Sequence, residues 1–273
     1  MFAGLTIREG LVLMLALVAL LMVSACAAFQ PTDPNGPRSV APEYPIGLPE
    51  IGTRLEEASL AWYQLSERYG VSGKPEANLH PYTATLQGLP ANMNAPLYLP
   101  KVGAQPPTEE DTREALRRFI AEWQRLIGAE TDELSLVERT DEASGIKIAR
   151  YEQRPFRYPL RGDFGNLIIR FRADGQLVGL SSNCIPNADR LQPTLNNLSP
   201  TVSREQAVDQ VRNSQNLPAN AVAEAQQLVV YAQASTTPPS GLQMRLAWEI
   251  DVTNGPVTKI YLDAISKEII ATS

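Results

Sequence analysis

A single histidine bounds the chemistry open to these 273 residues: His80, in the stretch Asn-Leu-His-Pro-Tyr-Thr. A zinc peptidase site of the His-Glu-x-x-His kind needs two imidazoles one helical turn apart, with a glutamate base between them, and one histidine cannot supply it. A Ser-His-Asp or Cys-His arrangement would have to use His80, and neither Gly-x-Ser-x-Gly nor a phosphate-cradling glycine-rich loop occurs. In a loop before Pro81, His80 reads as an exposed or capping imidazole. Cys184 reads as a half-buried small hydrophobe rather than a reactive thiol. The 30 Asp and Glu residues allow many carboxylate pairs in space, but no pair stands out by spacing, and solvation is their expected role. The expectation is a protein without a catalytic centre, cofactor or metal. A hydrolase using two carboxylates stays open as the third-ranked reading.

Cys26 is different because of what precedes it. Thirteen apolar residues, Leu11 to Val23, follow a short start containing Arg8 and Glu9, and the small residues Ser24 and Ala25 come next. This is the build of a secretory signal peptide, too short for a comfortable bilayer-spanning helix of about 20 residues. Val23-Ser24-Ala25-Cys26 resembles the bacterial lipobox, in which signal peptidase II cuts before the cysteine and the sulfur is joined to a lipid. That resemblance implies a signal peptide over 1–25 and an acylated (palmitate-type) Cys26. Two or three acyl chains hold a protein on a membrane where one does not. An ordinary secreted protein, or a retained anchor helix, is the alternative. Ala27 is compatible with outer-membrane sorting. If Cys26 carries lipid, Cys184 has no disulfide partner.

The net charge of −6 argues against nucleic acid as a partner, since phosphate neutralisation needs clustered Lys and Arg. Residues 26–52 contain Pro31, Pro34, Pro37, Pro42, Pro45 and Pro49 and read as an extended tether. Residues 53–107 read as a helix followed by an irregular, unassigned segment. Thr53 and Glu56 form a capping-box pattern, with Leu55, Ala58, Trp62, Leu65 and Tyr69 on one face and Gly70 as the stop. A short strand is expected around Leu97 to Leu99. Thr108 with Asp111 caps a second helix, whose stripe of Leu116, Phe119, Ile120, Trp123 and Ile127 runs to Gly128.

After Gly128 the period changes from helical to alternating. Strands are expected from Ile146 towards Arg154 and over Asn166 to Ala173, the latter with Leu167, Ile169 and Phe171 inward. Asp174-Gly175 reads as a type I′ hairpin leading to a return strand over Gln176 to Ser182. Ser203 with Gln206 caps a helix to about Asn213. A meander follows: Leu228 to Ala232, then Met244, Leu246, Trp248, Ile250 and Val252 alternating with Arg245, Glu249 and Asp251, then Val257 to Asp263 and Glu268 to Ala271. The fold class is α+β, antiparallel sheets packed on helices without βαβ alternation.

The stretch from Ala149 to Asn187 resembles the propeptide module of fungalysin and thermolysin precursors: an aromatic-Glx-Gln opening, a turn and Gly, a strand, an Asp-Gly hairpin and a second strand ending near Asn-x-x-Pro. Leu198 to Ser273 is similar to the PepSY domain that follows it there, through "SREQAVDQV", "RLAWEIDV" and "KIYLDAISKEII". The resemblance implies a propeptide module over 108–192 and a cystatin-like PepSY domain over 198–273. Ser266-Lys267-Glu268 replaces that family's usual Thr-Gly-Glu turn. The precursors continue into a zinc peptidase, and this sequence ends at Ser273. In them the two modules chaperone and inhibit the attached enzyme. The resemblance therefore implies a lipid-anchored, extracytoplasmic binding protein acting on a secreted metallopeptidase in trans. The alternative is a structural or sensory cell-envelope lipoprotein unrelated to proteolysis.

Overall fold

The computed structural model describes residues 43–48, 51–73, 75–103, 107–236 and 241–273. The signal peptide, the lipobox Val23-Ser24-Ala25-Cys26 and the tether up to residue 42 lie outside the described residues. Residues 42–273 form one unit, and two sheets carry it.

The chain order is β1 (Ile46–Gly47), α1 (Ile51–Arg68), β2 (Asn78–Leu79), β3 (Leu86–Gly88), α2 (Glu109–Glu122) and α3 (Gln124–Ile127). Then come β4 (Leu134–Asp141), β5 (Lys147–Gln153), β6 (Leu160–Gly162), β7 (Asn166–Phe171), β8 (Leu177–Ser182) and α4 (Ala188–Asn196). The last part is α5 (Arg204–Ser214), β9 (Val222–Ser235), β10 (Gly241–Thr253), β11 (Lys259–Asp263) and β12 (Ile269–Thr272). This is the expected α+β class.

The first sheet has the antiparallel order β4-β5-β7-β8. Leu167, Ile169 and Phe171 point from it into a core shared with Leu116, Phe119, Ile120 and Ile127. That stripe holds together because Thr108 and Asp111 make the reciprocal capping box and Gly128 closes the other end in a left-handed conformation. The helix is interrupted at Trp123, so its last turn stands as the separate α3. Trp62, Leu65, Leu86, Leu97 and Leu99 enter the same core, which gives the unassigned stretch 53–107 its place.

Several expectations are corrected. Helix α1 starts at Ile51, so Thr53 lies inside it rather than capping it. Its buried face runs through Ala58, Ala61, Trp62 and Leu65, leaving Leu55 37% exposed. The Asp174-Gly175 turn is not type I′, which needs two residues at positive φ. Here Gly175 has φ +87 and Asp174 is not left-handed; the Gly175 N–H bonds Arg172 O, and the Arg172 N–H bonds Gln176 O. This is the three-residue form, a turn followed by a glycine bulge. At Ser266-Lys267-Glu268 the central Lys267 takes φ +68, the conformation a glycine would supply.

The second sheet is a meander, β9-β10-β11-β12, with α5 on its inner face. Ser203 and Gln206 cap α5 as expected. Strand β9 is far longer than Leu228 to Ala232, because the alternating inward residues before it are the small Ala223 and Ala225. Two additions depart from a purely antiparallel arrangement of separate modules. Strand β6 pairs in parallel with β9, where Gly162 lies so close to Ala232 O that a Cβ would collide with it. Strand β1 pairs with β10, Ile46 opposite Met244. Residues 43–48, counted with the proline-rich tether, are thus part of the body; Pro45 is compatible with an edge position. Helix α4, obscured in the sequence by Pro193, buries Leu191 and Leu195 against Val230 and Met244 of the second sheet in a third core that also takes in the loop residues Phe156, Phe164 and Ile185.

Candidate protein-binding surface

The residues singled out for possible chemistry are placed in unreactive settings. His80 is partly buried, accepts the Tyr82 N–H at Nδ1 over 3.2 Å, and meets the Phe164 ring edge-on at 5.4 Å. Burial lowers its pKa, which favours the neutral, capping form. Cys184 is fully rather than half buried, and burial pushes its thiol up to about 12. A thiol in that state is a weak nucleophile at neutral pH.

Carboxylates gather in the second sheet. Glu249 faces away from the α5 side, yet its side chain is only 6% exposed. Its Oε1 accepts from Arg161 Nε at 3.2 Å, Lys259 Nζ at 3.0 Å and Tyr261 Oη at 3.3 Å, and its Oε2 accepts from Gln227 Nε2 at 2.8 Å. Burial raises its pKa, but the hydrogen bonds from Gln227 and Lys259 and the charge of Arg161 outweigh that and hold it at about 2. Asp263 is fully buried. Its Oδ1 accepts from Tyr44 Oη and the Ile265 and Ser266 N–H groups, and its Oδ2 from Arg245 at 2.9 Å. Glu249 is thus a charged fastener of the sheet, and Asp263 is a buried acceptor that ties Tyr44, Arg245 and the following turn together. The raised carboxyl is Glu133, half buried and bonded by Gln153 Nε2 at 3.0 Å.

Two surfaces are shaped for contact. Among the described residues, β4 pairs only with β5, so its outer backbone groups face outward. Next to a bulge, Leu136 and Val137 on this edge are 40% and 45% exposed. The other surface is a groove of about 670 Å³ bounded by the loop from Glu152 to Asn166 and by Gln227. Arg154, Arg157 and Arg161 line it together with Phe156, Tyr158 and Phe164. Neither surface was singled out in the sequence. The arginines at 154, 157 and 161, set among prolines and aromatics, are the signal that could have found the groove.

No family model matches the chain. The thermostable neutral protease NprT of Geobacillus stearothermophilus is 29% identical over 133 residues, which are 47% of this chain and 22% of the protease. The chain thus spans about a fifth of that relative's length. The C-terminal domain of YpeB from Bacillus megaterium covers 64% of this chain and 68% of its own, at 13% identity and a TM-score of 0.29, a likeness too distant to carry an argument.

Proposed function

We propose that this protein is a non-catalytic binding module that restrains or assists a secreted peptidase in trans, moored outside the cytoplasm by lipid on Cys26. The observation that carries the reading is the 133-residue match to a neutral protease at about a fifth of that enzyme's length. It agrees with the propeptide-like pattern of residues 149–187. The open β4 edge supplies a physical means, since unpaired N–H and C=O groups beside exposed Leu136 and Val137 can take up a partner strand. Glu249 and Asp263, each enclosed by several fixed donors, act here as structural ties and not as acids or bases.

The test is to mix the protein, freed of residues 1–26, with a thermolysin-like metallopeptidase and follow cleavage of a quenched peptide alongside complex formation. Slowed cleavage, or improved refolding of the peptidase, is expected. No effect and no complex with any secreted metallopeptidase of the source cell overturns the reading. Acylation is tested separately: mass spectrometry of the membrane-extracted protein should find Cys26 as a modified N-terminus, and an unprocessed start refutes the anchor.

A further inference from the structure

We infer that the groove enclosed by Glu152 to Asn166 binds an extended polypeptide segment that alternates carboxylate and apolar side chains. The inference does not depend on the peptidase reading. It starts from an inversion of charge: the chain carries a net −6, yet residues 150–172 hold six arginines against Glu152 and Asp163. Three of those arginines line the groove.

The three are not equally engaged. Arg161 is spent on Glu249 at 3.2 Å. Arg154 meets Glu152 only through an exposed contact at 3.4 Å. Arg157 lies over the Tyr158 ring at 5.4 Å and has no carboxylate partner among the described residues. Two guanidinium groups are thus offered at the rim, and planar forks of this kind match carboxylates. Phe156, Tyr158, Pro159, Leu160 and Phe164 supply apolar wall between them. Carboxylates spaced by apolar side chains satisfy both features at once. A nucleic acid needs a wider field of clustered Lys and Arg than two free guanidinium groups supply, and its backbone has no apolar side chains for the wall between them. The volume of about 670 Å³ lies in the usual range of ligand sites, about 300–1,000 Å³.

The loop is braced so that the groove persists without ligand. The Arg157 N–H donates to Asn196 Oδ1 at 2.8 Å, tying the rim to α4. Gln153, 2% exposed, bonds the Ile185 carbonyl at 2.9 Å beneath it. A preformed site loses little freedom on binding.

The experiment titrates the full chain, in detergent, into a fluorescent peptide alternating Glu and Val, a second with Gln in place of Glu, and a single-stranded oligonucleotide of matching charge. The acidic peptide is expected to bind saturably and to weaken as salt rises, with the Gln peptide about tenfold weaker or more. R154E/R157E, two exposed positions, should lose the acidic peptide by a similar factor with an unchanged melting curve, while R113E on α2 keeps it. Equal binding of the Gln peptide or the oligonucleotide overturns the inference, as does absence of binding. Full binding by a folded R154E/R157E protein does so too.

Discussion

In the first sheet the charged side chains pair at the surface: Glu138 and Arg150 meet at 2.9 Å with 48% and 40% of their side chains exposed. In the second, Glu249 and Asp263 are enclosed and each is held by several donors. The first sheet is held by shape, through Phe119, Trp62 and Phe171 in an apolar core. The second adds a polar lattice that fixes segments distant in sequence, β6 through Arg161 and β1 through Tyr44. The two regions are therefore sensitive to different losses: the first to lost volume, the second to lost charge. The meander alone could form from local hairpins, but β1 and β6 reach it from far along the chain and are fastened by the Tyr44–Asp263 hydrogen bond, the Arg161–Glu249 ion pair and the third core.

The strongest blow to this contrast should come from Phe119→Ala. Phe119 is fully buried, and the cavity is expected to cost about 4 kcal/mol in chemical denaturation. A loss no larger than that of a surface change would show that the first core is not tightly packed. Asp263→Ala removes the acceptor shared by Tyr44, Arg245 and the Ile265 and Ser266 N–H groups, leaves Arg245 only the exposed Glu268, and should cost about 3 kcal/mol. The same measurement with Glu138→Ala should show under about 1 kcal/mol, because that pair is exposed.

Acid titration sharpens the same comparison. Glu249 has its pKa lowered from 4.5 to about 2, so its contribution is complete above 4.5 and lost as the pH falls through about 2. Denaturation midpoints should therefore decline across that window, and Glu249→Gln should flatten the decline. An unaltered slope would mean the cluster does not hold the charge. Thr108→Ala, which removes one half of the α2 capping box, should cost about 1 kcal/mol, read as a lower melting temperature.

Much of the fold was legible because its signals are local. Thr108 and Asp111, or Ser203 and Gln206, meet within one turn, and the alternation of Met244 to Val252 follows from the two-residue period of a strand. The strands and helix that escaped notice lack such signals. Strand β4 carries Glu138, Arg139 and Asp141 on an edge where charge is tolerated, and α4 has Pro193 within it. The contact surfaces were less legible than the fold, since arginines in a loop read the same whether they face a groove or open water.

The capped helices, the alternating strands, the single histidine and the pattern ending at Cys26 are all written in short stretches of the sequence. Folding in three dimensions is what brings Arg161 to Glu249 across 88 positions, joins residues 43–48 to β10, and sets Arg154 and Arg157 on one concave wall. The physical reason is range. Capping and alternation are settled by neighbours a few bonds away. The burial of a charge or the shape of a groove depends on which distant segments pack together, and a single segment's composition does not encode that.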